Sequence, residues 1–143
     1  MALGAFVTGD KEIDRKLKVL PRVLQAKVIR SAMRLGMKEV AERARAEAPV
    51  LTGTMRDRIK VKAPRKKKRG SVGVDVRVDA SDQLVKHTRA GKRVFYPMAV
   101  EMGHGSVQPD PFMHRAYAEE GDRANRIAMG AIRVGVEREA SRR

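Results

Sequence analysis

Residues Ala48 to Ile59 read A-P-V-L-T-G-T-M-R-D-R-I, and the character of the chain changes across them. Before them apolar residues recur with a helical period. After them short runs alternate, as half-buried strands do. Pro49 lacks the N–H that would continue a helix and pushes Ala48 out of the α region. Gly53 permits backbone conformations that other residues resist, and the hydroxyls of Thr52 and Thr54 can accept from backbone N–H groups. Thr54 with Asp57 three residues on is a reduced capping box, which predicts one short helical turn ahead of Ile59. The stretch reads as a helix-to-strand corner.

Upstream, Asp10 to Leu20 predicts a short helix with Asp10 as N-cap, and a long helix follows from Pro21 to about Glu47. Winding the long segment at 3.6 residues per turn collects Ala26, Ile29, Met33, Gly36, Met37, Val40 and Ala44 on one face. A second apolar row, Leu24, Val28, Ala32 and Leu35, falls to the side. Lys27, Arg34, Lys38 and Arg45 fill the remaining arc. Two apolar rows imply two contacts: either the helix is sunk deep in its own domain, or Leu24, Val28 and Leu35 form a surface against a neighbouring subunit or partner.

Downstream, Ile59, Val61 and Ala63 alternate with lysines, and Val72, Val74, Val76 and Val78 alternate with polar residues. Between these strands lies P-R-K-K-K-R-G, whose five consecutive cations, Arg65, Lys66, Lys67, Lys68 and Arg69, repel one another and predict a protruding basic hairpin. Ala80 to Lys92 has no clean period and predicts a long irregular loop. A third strand is expected over Phe95 to Met102, with Met98, Val100 and Met102 on one face, Glu101 on the other and Pro97 at an edge. Asp110-Pro111 opens a last helix as N-cap and first residue, with an inward stripe of Met113, Ala116, Ala124, Ile127, Ala131 and Val134. Gly121, Gly130 and Gly135 either weaken that helix or admit another one closely. The tail, E-R-E-A-S-R-R, is expected to fray.

Composition narrows the function classes. The 143 residues carry 42% hydrophobic but only 3% aromatic side chains, with no Trp, so the core is thin and leans on Val, Ala, Leu and Met. No Cys is present, which removes disulfides and thiolate chemistry. His87, His104 and His114 are far apart, with no metal-ligand spacing on one helix face. Ser71, Ser81, Ser106 and Ser141 lack a nucleophile motif, and Glu101 has no second acid at a diagnostic spacing. An edge-strand carboxylate pairing with Arg or Lys accounts for it, so the residues offer neither catalysis nor a cofactor site. Gly103 to Pro109 lacks the Gly-Lys-Ser/Thr of a phosphate loop. The N-terminus lacks the basic start and apolar core of a signal peptide, and no apolar run spans a membrane, so a reducing, cytoplasm-like compartment is expected. The 32 Lys and Arg against 17 Asp and Glu give a net charge of +15 and imply an acidic partner, nucleic acid or protein. Aromatics for base stacking are nearly missing, so nucleic-acid binding would be sequence-independent and salt-dependent. Neither an internal repeat nor a composition break divides the chain, and one domain over residues 1–143 is expected.

Two blocks carry a resemblance. The first is Pro49, Thr52, Gly53, Met55, Arg56 and Ile59 after a long helix. The second is Tyr96, Val100-Glu101-Met102-Gly103 and then Pro109-x-Pro111-Phe112-Met113-x-x-Ala116. In this order the chain resembles the tail-component family of long-tailed bacteriophages, across roughly residues 10 to 135, with distant similarity to the minor tail protein Z of phage lambda. Leu51, Met102 and His104 depart from that family's usual acidic, aromatic and Thr residues. The resemblance implies an α+β subunit with helices packed on a small, mainly antiparallel sheet. It further implies a neck or tail-completion ring, six copies in a sixfold tail, that joins the tail to the DNA-filled head. Expected partners are copies of the chain, adjacent neck, tail-terminator or tail-tube proteins, and lumenal double-stranded DNA, with no membrane. The expected location is the virion, after assembly in the host cytoplasm.

Overall fold

The computed structural model describes the backbone of Ala2–Gly4 and all of residues 11–50 and 52–142. In chain order the elements are β1 (Ala2–Gly4), α1 (Lys11–Lys18), α2 (Arg22–Glu47), α3 (Thr54–Asp57), β2 (Ile59–Lys62), β3 (Asp75–Val78), β4 (Val85–His87), β5 (Arg93–Phe95), α4 (Tyr96–Met102) and α5 (Phe112–Ser141). A 3₁₀ turn, Asp82–Leu84, leads into β4. The expected Asp10 cap lies outside the described residues.

The long helices α2 and α5 run antiparallel over most of their length, and small residues set how close they come. A Cβ on Gly36 would collide with the carbonyl oxygen of Ala124, and one on Gly135 would lie 2.8 Å from Val28 Cγ1. Gly36 is therefore a backbone-to-backbone contact, and Gly135 does admit the neighbouring helix. The two rows foreseen on α2 merge into one buried band, Val28, Ala32, Met33, Gly36, Met37, Val40, Ala41 and Ala44. Ala48, with ψ near 131°, ends the helix as the following proline requires. On α5 the inward row after Ala124 is Ala128, Ile132 and Val136 instead of Ile127, Ala131 and Val134. It advances in steps of four, which keeps it facing Val28 and Ala32, and Val134 is left 55% exposed. The tail does not fray: α5 continues to Ser141.

Around this pair two apolar clusters form. Ile13 and Leu20, at the ends of α1 and its following turn, pack with Val28, Ala32, Ile132 and Val136. The larger cluster joins the middle and end of α2 to Ile59, Val74, Val76, Val78, Phe112 and Met113. The sheet in it has the order β1-β3-β2, all antiparallel. Ile59 faces Val78 and Val61 faces Val76, so the valine alternation does put one face inward, although strand pairing starts only at Asp75.

Two expectations fail between the sheets and α5. Ala80 to Lys92 is no irregular loop: β4 and β5 pair antiparallel, with Val85 opposite Phe95 and His87 opposite Arg93. Their turn is closed by Thr88, whose Oγ1 accepts from the Lys92 N–H at 3.1 Å, and by Gly91 at φ 75°. Strands of three residues are too short for a period to show. Phe95 to Met102 is not a strand either. Pro97 stands in the first turn of α4, where a missing N–H costs nothing. The alternating Met98, Val100 and Met102 are a helix read at the wrong period: Met98 and Met102, four apart, are exposed together while Val100 is buried.

Charged side chains tie the far end of the helix pair. Glu47 accepts from Arg43 at 2.7 Å and from Arg115 at 2.6 Å; Arg43 also meets Glu119, and Arg115 meets Asp110 at 2.9 Å. The Arg115 hydrogen bond holds the Glu47 carboxyl below the usual carboxylate range, against the opposing effect of burial. A lowered carboxylate pKa contributes stability above about pH 4.3, the unfolded value, and loses it as pH falls through the folded one. Glu47→Gln should therefore flatten the acid limb of the stability curve below about pH 4.3, read by urea denaturation across pH.

Glycine substitutions separate close packing from propensity. Gly36→Ala should destabilise by about 1–3 kcal/mol through overpacking, despite the better helix former. Gly130→Ala, whose Cβ meets open space, should stabilise by about 1 kcal/mol. Equal shifts in the two midpoints would rule out the Gly36 contact as the determinant.

Candidate assembly surfaces

The helix-to-strand corner and its short helical turn form as expected, but the reduced capping box does not: Thr54 is the first residue of α3, Gly53 precedes it, and no side chain caps the turn. Gly53 takes φ 80°, a left-handed conformation costly to any residue with a side chain, and starts α3. Thr52 Oγ1 donates to Thr54 Oγ1 at 3.0 Å, and Thr54 Oγ1 donates to Gln83 Oε1 at 3.3 Å. The Arg45 guanidinium, expected on an exposed arc, is half-buried and donates to the Ile59 carbonyl through Nη2 at 2.8 Å. Beside the corner is a cleft of about 230 Å³ whose lining includes Pro49, Thr52, Gly53, Lys86 and Tyr96. The two sequence blocks thus meet in space, with Lys86 from β4 added by the hairpin that the sequence hid.

In the second block Glu101 is not an edge-strand carboxylate. It is buried, 2% exposed, and reaches from α4 to the start of α5. Its Oε2 accepts from the Met113 N–H and its Oε1 from the His114 N–H, each at 3.0 Å, and Oε1 also meets His114 Nδ1. The first N–H groups of a helix have no partner within it and carry a partial positive charge, so a buried carboxylate satisfies them in place of a local cap. Asp110 is not the cap: its own N–H donates to the Val100 carbonyl at 2.6 Å and its carboxylate binds Arg115. Gly103, at φ 77°, reverses the chain where a Cβ would lie 3.1 Å from the Val107 carbonyl oxygen. Pro111 sits just before α5, and Phe112 is fully buried in the larger cluster. The missing signal was long-range: a helix opening on Pro111-Phe112 without its own cap needs an acid from elsewhere.

The basic connection between β2 and β3 is exposed from Arg65 to Gly70. Gly70, at φ 79°, and Ser71, whose N–H and hydroxyl both donate to the Lys68 carbonyl at 3.0 and 2.8 Å, close its end. Among the described residues none of its five cations forms an ion pair.

The row proposed as a subunit surface divides. Val28, 7% exposed, belongs to the chain's own second cluster and Leu24 packs against it; Leu35 alone is open, at 46%. Val28 is thus corrected to a core residue, because Gly135 lets α5 cover it. Leu35 instead borders a groove of about 350 Å³ between α2 and α5, which also takes in Gly130, Ala131 and Val134. Among the described residues no helix is long and apolar enough to cross a membrane, and no group of three or more His, Asp and Glu is placed to hold a metal.

These geometries make the motif residues a folding apparatus. Glu101→Ala should cost about 1–3 kcal/mol by leaving buried N–H groups unsatisfied, and Gly53→Val a similar amount through backbone strain. Unchanged melting temperatures would refute each assignment.

Neither curated proteins nor solved structures give a match to the chain. The family described as "Bacteriophage HK97-gp10, putative tail-component" matches residues 11–105, from α1 through the corner, strands β2 to β5 and Glu101 to just past Gly103. It stops short of Pro109 to Ala116, so the last part of the second block rests on its packing alone. That match covers 95 of 143 residues, and the chain belongs to the HK97-gp10 family of phage tail components.

Proposed function

We propose that the chain is a structural subunit of a phage head–tail junction, one domain over residues 1–143 that closes with further copies into a neck or tail-completion ring. Family membership is the observation that carries this reading. The fold is consistent with it, because the motif residues are spent on the corner and on the start of α5. A ring of six copies matches a sixfold tail, and contacts that repeat around a rotation axis are heterologous. Adjacent neck, tail-terminator or tail-tube proteins are its neighbours, in the virion.

The loop Arg65 to Arg69 is the part that reaches away from the body. We assign it to an acidic neighbouring protein ring in preference to lumenal DNA. Each phosphate contact releases counterions and adds close to one unit to the salt slope, so six such loops on DNA would act as a brake. The second reading, a basic protein that binds nucleic acid without sequence preference, draws on the same loop and the net charge of +15.

Particle mass by light scattering and DNA affinity at two salt concentrations separate the readings. A discrete oligomer with feeble DNA binding is expected; a monomer with strong, salt-sensitive binding supports the second. Replacing Arg65 to Arg69 with Ser should leave circular dichroism unchanged and cut head–tail joining when purified heads and tails are mixed. Normal joining with altered DNA retention would move the loop to the lumen.

A further inference from the structure

The groove between α2 and α5 is apolar inside and basic outside. Its floor is Val28, Ala32 and Ala131, and its walls are Leu35 and Val134. Gly130 keeps it open. A Cβ there would meet nothing within 4 Å, so no packing within the chain requires glycine at a position where it weakens the helix. Lys27 and Arg138 stand at the edge, while Glu139, also at the edge, is paired with Arg142 at 3.5 Å.

The charge around the groove decides what fits it. On this side of the Gly36–Ala124 contact, residues 11–35 and 125–142 hold twelve Lys and Arg against four Asp and Glu. A second copy set groove to groove would bring two such ends together. At the other end of the helix pair Glu39, Glu47, Asp110, Glu119 and Glu120 are bound by Arg43, Arg115 and Arg123, and Glu101 is buried. Among the described residues Glu42 and Asp122 are the helix-pair carboxylates there without an ion pair, two against the twelve cations of the groove end. Duplex DNA matches the charge but has no side chain to fill an apolar floor.

We propose that this groove seats an acidic, amphipathic segment of a different virion protein. Apolar side chains of that segment lie between Leu35 and Val134, and its carboxylates meet Lys27 and Arg138. Laying one apolar face into a groove supplies affinity, and the charged edge supplies choice of partner and orientation. The proposal rests on the chain being a virion subunit.

The test places the photo-crosslinking residue p-benzoylphenylalanine at Val134, in the chain as assembled into phage particles, with and without Gly130→Leu. The expected adduct is to another virion protein, through a peptide of net negative charge. Gly130→Leu should reduce it at least tenfold while the purified variant melts no lower than the parent. An adduct to a second copy or to DNA, no adduct from particles that contain the chain, or an adduct indifferent to Gly130→Leu overturns the groove assignment and leaves the virion role standing. A chain absent from particles overturns that role, and the groove assignment with it.

Discussion

The fold depends on the distance between two helices. At Gly36 the α2 backbone rests against the Ala124 carbonyl, and at Gly135 the α5 backbone accepts the Val28 side chain. Close approach of this kind brings small residues, Ala32, Ala41, Ala44, Ala116 and Ala128, into full burial in a protein nearly without aromatics. Dispersion contacts weaken steeply with separation, so a core of Ala, Val and Met holds only if its layers lie close. The thin composition and the tight crossing are one fact.

Everything else is laid on that pair from one side or the other. The sheet covers the middle and end of α2 through Ile59, Val76 and Val78, and α1 covers the opposite end through Ile13 and Leu20. The two clusters are joined by the helices themselves, which is why both must be continuous past the crossing. The Glu47–Arg43–Arg115 network sits where α2 ends and α5 begins. Such partly exposed pairs add little each, and here they link the end of α2 to the start of α5.

Much of this was legible in residue order and some was not, for physical reasons. Long periodic segments, a proline stop, a left-handed glycine and a valine alternation are local, and each produced the element it implied. The β4 and β5 strands are three residues long each and α4 is seven, too short to average a period over. Glu101 was misread because its partners, the N–H groups of Met113 and His114, are twelve and thirteen residues away. The inward row of α5 was misplaced beyond Ala124 because the tight crossing, not hydropathy, decides which face turns in. Of the site residues, the exposed Arg65–Arg69 loop and the glycine corner were visible directly, whereas the Gly130 groove needs both helices in place.

Family membership and surface charge then divide the labour. Residues 11–105, which carry the family match, include the corner, strands β2 to β5 and Glu101, though not β1 or the α5 N–H groups that Glu101 caps. The α5 side of the groove, Ala131 and Val134, lies wholly beyond that match, which ends before α5 begins. A framework within the family match and a groove wall outside it suit the proposed partner segment, which has to find one subunit among other virion proteins. Discrimination of that kind comes from charge placed around an apolar seat, since the apolar contact alone accepts any complementary shape.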